Sequence, residues 1–94
     1  LPDSIKTLVR SSVEILEPKQ IILFGSRARG DFRENSDYDI AFKGNIDSDL
    51  WNEFIANLEE VPKTLLKTDL VIFDSMNAEY KKNINTDGKL LYEE

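Results

Sequence analysis

An apolar tetrad that ends in glycine, and a pair of aspartates that opens a second apolar segment, leave the middle of this chain few ways to fold. Ile21, Ile22, Leu23 and Phe24 run into Gly25, which predicts a buried strand over 20–24 and a tight turn after it. Ser26 is a favourable N-cap, so a short helix is expected from Ser26 to Arg29, interrupted by Gly30. Residues 30–36, GDFRENS, are polar and rich in turn formers. Ten residues separate Ser26 from Asp37, Tyr38 and Asp39, which are followed by apolar Ile40, Ala41 and Phe42. A strand over 37–42 would point Asp37 and Asp39 to one face, with Cα atoms roughly 6.5–7 Å apart. Carboxylates so placed repel each other, and they outline an oxygen-lined site suited to Mg²⁺.

The flanking segments read as packing elements. Residues 3–17 carry Ile5, Leu8, Val9, Val13 and Leu16 at helical spacing, with Asp3 or Ser4 available as cap and Pro18 as terminator. Gly44 and Asn45 mark a turn. Residues 48–60 repeat the helical pattern through Trp51, Phe54, Ile55 and Leu58, with Leu50 at the edge and Asp47 or Ser48 as cap. Trp51 on that stripe reads as core, not as a platform for stacking bases. Residues 63–68 form a connection in which Leu65 and Leu66 are candidates for a short strand. A strand over 69–73 opens with a further carboxylate, Asp69, and is as apolar as the first, which predicts a central place in the sheet. A helix over 76–84 brings Met76, Tyr80 and Ile84 to one stripe; Asp87-Gly88 signals a turn, and Leu90, Leu91 and Tyr92 a last strand. Helices alternating with short strands give an α+β (or α/β) domain, with three to four mixed strands and helices packed on them.

Ninety-four residues suit a single domain, residues 1–94. No apolar run approaches the roughly 20 residues of a membrane helix, and residues 1–17 do not read as a signal peptide, so a cytoplasmic location is expected. The chain has no cysteine and no histidine, which excludes thiolate chemistry, a zinc–thiolate site, an imidazole base and a histidine-held metal. A net charge of −6 argues against nucleic-acid binding by this chain alone. It favours a basic protein partner, or a small substrate whose charge a metal offsets.

The cations are distributed unevenly. Of four arginines, Arg27, Arg29 and Arg33 fall within seven residues, and all eight lysines lie elsewhere. Arginine's planar fork fits phosphate oxygens as lysine's point charge does not. Neutralisation of Asp31, Glu34, Asp37 and Asp39 would account for the same cluster. If Asp69 opens a strand beside Asp37 and Asp39, three acids meet at one sheet edge. Divalent cations would relieve their repulsion, and a pair of cations can activate an attacking oxygen and steady a leaving one. The Gly25-Ser26 turn offers backbone N–H groups and a hydroxyl to an anion. It is not a GxxxxGK[ST] loop, because no lysine follows in register.

Gly25-Ser26, ten residues, Asp37-x-Asp39, then a strand opening with Asp69: this arrangement resembles the signature of the nucleotidyltransferase superfamily that includes DNA polymerase β. The string GSRARGDFRENSDYDI is similar to the minimal nucleotidyltransferase family, over roughly residues 4–92. The resemblance implies that Gly25 and Ser26 hold a triphosphate, with Arg27 or Arg29 near it. It implies that Asp37, Asp39 and Asp69 ligate Mg²⁺, two ions in all, and that a hydroxyl attacks the α-phosphate of a nucleotide, ATP by expectation, as pyrophosphate leaves. Family members commonly act as antitoxins beside a HEPN-domain toxin, and some transfer AMP to its tyrosine. Tyr38 stands where the family usually has an aliphatic residue, and Asp31 where glutamate is frequent. The alternative reading is a non-catalytic antitoxin that neutralises a partner by occlusion.

Overall fold

The computed structural model describes residues 1–62 and 66–94. The elements in chain order are α1 (Asp3–Leu16), β1 (Gln20–Phe24), α2 (Ser26–Arg29), β2 (Tyr38–Lys43), α3 (Ser48–Glu59), β3 (Thr68–Ile72), a 3₁₀ turn (Phe73–Ser75), α4 (Ala78–Asp87) and β4 (Lys89–Glu93). The four strands form one mixed sheet in the order β3-β2-β1-β4. β1 runs antiparallel to both β2 and β4, whereas β2 and β3 are parallel.

Strand alternation divides the core between the two sheet faces. Ile21 and Leu23 of β1 and Ile40 and Phe42 of β2 face α1 and α3, where they meet Ile5, Leu8, Leu16 and Phe54. Phe42 also receives Trp51 edge-on at 5.3 Å, so the tryptophan is core as its spacing predicts. The alternate residues Ile22, Phe24 and Ala41 face α4 and bury Ile84 completely. Asp39 shares the parity of Ala41, so its carboxylate belongs to the α4 face.

The element ends are set by local chemistry. Asp47 caps α3 by accepting the Leu50 N–H at 2.9 Å, and Asn77 caps α4 by accepting the Tyr80 N–H at 2.8 Å. α1 departs from expectation: Pro2 occupies the cap position, no side chain caps the helix, and Asp3 lies in its first turn. Proline has no N–H to satisfy and its fixed φ suits a helix start, so the helix needs neither Asp3 nor Ser4 as a cap. The helical face of α1 also buries Ser12, whose hydroxyl donates to the Val9 carbonyl at 2.7 Å.

Two further expectations need correction. β3 lies at the sheet edge, not at its centre. Its apolar residues reflect partial cover on both faces, with Leu70 packed against the first cluster and Val71 against the second. α4 begins at Ala78, two residues after Met76, because the Asn77 side chain takes the cap, and it runs on through Asp87 to Gly88. A Cβ on Gly88 would collide with the Ile84 carbonyl and the Ile22 side chain, so glycine lets the chain leave α4 close against the sheet. The expected strand at Leu65 and Leu66 falls partly outside the described residues, and Leu66 itself precedes β3.

Ile84 alone pins α4 to the sheet through a fully buried side chain. Ile84→Ala is expected to lower unfolding free energy by about 2–5 kcal/mol, measured by urea denaturation.

Candidate active site

The acids are brought together by strand register. In the parallel pair, Asp39 of β2 lies opposite Asp69 of β3. Adjacent strands run about 4.8 Å apart, and directly registered residues project to the same face. In the antiparallel pair, Asp39 lies opposite Phe24, the last residue of β1. Asp37 precedes β2, and the backbone there is held by the Tyr38 N–H, which donates to the Lys67 carbonyl at 2.9 Å. The Asp39 carboxyl is pushed above the ordinary carboxylate range, first by burial, then by the charges of Asp69 and Asp37, with Arg29 opposing. Asp39 is thus the acid at which the other two converge. Among the described residues, no three acids are already drawn in to metal-ligating distance.

Gly25 forms the other wall. Its φ of 73° is one that side-chain-bearing residues rarely adopt, and a Cβ there would overlap the Asp39 carboxylate. The backbone of the turn and the central acid are therefore in direct apposition. This crowding corrects the expected cap: Gly25, not Ser26, occupies the N-cap of α2, and Ser26 is its first helical residue. Gly30, at φ 94°, ends the helix by donating its N–H to the Ser26 carbonyl at 2.9 Å.

The two arginines flagged from sequence do different work. Arg27 fastens the 30–36 loop: Nη2 donates to the Glu34 carbonyl at 2.9 Å and to the Ser36 carbonyl at 3.1 Å. Its guanidinium also stacks on the Phe32 and Tyr38 rings, at 4.3 and 4.4 Å. Tyr38 faces away from the acids, against the α1/α3 side of the core. Arg29 instead reaches the acid face, where it pairs with Asp87 of α4 at 3.3 Å and with Asp31 at 3.4 Å. Arg33 is exposed, and its backbone N–H donates to the Ser36 hydroxyl at 2.9 Å.

The sequence reading missed the contribution of α4. Tyr80, Asn83 and Asp87, at helical positions i, i+3 and i+7, join Phe24, Gly25, Arg29 and Asp39 around a cavity of about 180 Å³. Tyr80 meets the Phe24 ring edge-on at 5.8 Å. Its hydroxyl pKa is raised by burial and by the charges of Asp69 and Asp39. The available signal was the polar stripe alongside Ile84, visible once α4 is known to cover the acid face.

The profile described as "Polymerase beta, Nucleotidyltransferase" matches residues 4–94. The chain belongs to the polymerase β-type nucleotidyltransferase family.

Other nucleotidyltransferase relatives agree with that assignment. Two Methanocaldococcus jannaschii proteins described as candidate protein adenylyltransferases are similar to this chain. One is 33% identical over 78 residues, covering 79% of this chain and 78% of its own length. The other is 38% identical over 92 residues, covering 88% and 90%. A crystallised toxin–antitoxin complex with AMP-PNP contains a chain of the same fold, with TM-score 0.68 and 29% identity over 98% of this chain and 73% of that one. The toxin–antitoxin complex MntA-HepT contains another, with TM-score 0.54 and 26% identity over 98% and 69%.

The raised Asp39 pKa gives a test of the acid cluster. The unfolded carboxyl keeps its ordinary value, so between that value and the higher folded one the folded chain binds the extra proton. Stability from this site therefore falls as pH rises through that interval, and the loss is complete above the folded value. Asp39→Asn is expected to raise the melting temperature at neutral pH without divalent cation. The advantage should shrink on acidification, as followed by thermal melts across pH.

Proposed function

We propose that residues 1–94 act as one Mg²⁺-dependent nucleotidyltransferase domain. It transfers AMP from ATP to a hydroxyl of a partner protein, a HEPN-type toxin, and so serves as the antitoxin of the pair in the cytoplasm. The observation that carries this reading is the register of Asp39 with Asp69, beside a glycine whose missing side chain leaves room for the Asp39 carboxylate. The names of the relatives support the substrate and partner: candidate protein adenylyltransferases among the proteins, toxin–antitoxin complexes among the structures. No helix among the described residues is long and apolar enough to cross a membrane.

In this reading Asp37, Asp39 and Asp69 hold the metal, two ions in all. The donor set fits, being hard oxygen ligands, and the Asp39 carboxyl is pushed up first by burial and then by the charges of Asp69 and Asp37. Bound Mg²⁺ would offset the charge of the triphosphate and of the departing pyrophosphate. Gly25 and Ser26 bind the triphosphate. Gly25 permits close approach of the backbone, and the Ser26 hydroxyl is free of hydrogen bonds among the described residues. Arg29 is taken as the phosphate contact, a role supported by its lining the cavity with Gly25 and Asp39. Arg27, bonded to the loop carbonyls, acts indirectly by fixing the loop that delivers Asp37. Transfer of this kind depends mainly on positioning and charge neutralisation, which suits a small site.

The test is incubation with α-labelled ATP, Mg²⁺ and the toxin. Label is expected on a toxin hydroxyl, with a loss of at least about 10²-fold in rate for Asp39→Asn. Toxin that is bound and neutralised without label, equally by wild type and Asp39→Asn, would replace catalysis with occlusion.

A further inference from the structure

The cavity beside Asp39 is lined by a tyrosine that the transfer reaction does not use. The chain has three tyrosines. Tyr38 lies under the Arg27 guanidinium on the α1/α3 side, and Tyr92 packs against the same cluster. Tyr80 alone lies on the acid face. It lines one cavity with Gly25, Arg29 and Asp39, the proposed contacts of triphosphate and metal. Its ring is braced edge-on by Phe24, which directly precedes Gly25. Its side chain is reachable, with the residue 37% exposed, and its hydroxyl has no hydrogen-bond partner among the described residues.

We propose that Tyr80 is a self-modification site, at which the chain adenylylates its own phenol when ATP is bound and no partner hydroxyl is present. The inference rests on the nucleotidyltransferase reading above. Tyr80 Oη attacks the α-phosphorus and forms a phosphodiester to AMP. The bond from that phosphorus to the bridging oxygen breaks, its electron pair leaves with pyrophosphate, and the phenolic proton passes to solvent. Proximity favours the step, because Tyr80 and the residues proposed to hold the nucleotide line one cavity and no second protein has to dock. Helical spacing places Asn83 and Asp87 along the same wall, so an AMP group on Tyr80 would occupy space that the incoming nucleotide needs. Modification would therefore reduce further turnover of the same chain.

The test incubates the whole chain with ATP and Mg²⁺ in the absence of toxin, and reads intact mass and peptide maps. Transfer to toxin is measured in parallel with the wild type. The expected result is a gain of one adenylyl group mapped to Tyr80, at a fractional rate independent of protein concentration. Tyr80→Phe, which keeps the ring against Phe24, should lose the mass gain while retaining the wild-type circular dichroism spectrum. Wild-type transfer to toxin with no self-modification overturns this inference and leaves the proposed function standing. Self-modification that maps elsewhere, or survives in Tyr80→Phe, also overturns it. Failure of both reactions, with nucleotide binding demonstrated, overturns the proposed function as well.

Discussion

Asp39 beside Asp69 in a parallel pair is the constraint on which the rest of the structure depends. Like charges on neighbouring strands are unfavourable, and here a third acid two residues earlier adds to the repulsion. The fold tolerates this because the acids stand at one end of the sheet, next to its apolar centre. Ile40, Ala41 and Phe42, immediately after Asp39, are fully buried. Burial of those three positions fixes the register of β2, and a slip of one residue would turn the acids onto the opposite face. The core thus determines where the repulsion sits, and the chemistry makes use of it.

The turn after β1 obeys the same logic. Gly25 is needed both for its backbone angles and for the space its missing side chain leaves to Asp39. Arg27 holds the 30–36 loop through two carbonyls and two aromatic rings, so the strand bearing the acids starts from a fixed point. Arg29, two residues on, faces the acids and is tied to the end of α4 through Asp87. Alternate arginines of one short helix therefore serve the scaffold and the site separately.

Much of this was legible in the sequence, where residue type determines local geometry. The strand at 20–24 and the short helix after it follow from an apolar run and glycine, whereas the strand expected from Asp37 begins one residue later, at Tyr38, and leaves Asp37 in the preceding loop. The position of β3 was not legible. An apolar strand partly covered on two faces has the same composition as a central one, and only the strand order separates them. The cap of α2 was misread because serine is the better capping residue in isolation, whereas crowding by Asp39 requires glycine at that point. Tyr80, on the helical stripe, and Asp87, at the turn, were read as packing and turn residues and Asn83 was not singled out, because their place at the site depends on which sheet face α4 covers, a tertiary fact that its polar stripe does not encode.

The most direct measurement is paramagnetic broadening of backbone amide signals by substoichiometric Mn²⁺, with a non-hydrolysable ATP analogue present. The account predicts that the amides of Gly25, Asp37, Asp39 and Asp69 broaden first, and that Asp39→Asn abolishes the effect. Broadening centred instead on other exposed acids, such as Glu59 and Glu60, with Asp39 and Asp69 unaffected, would contradict it.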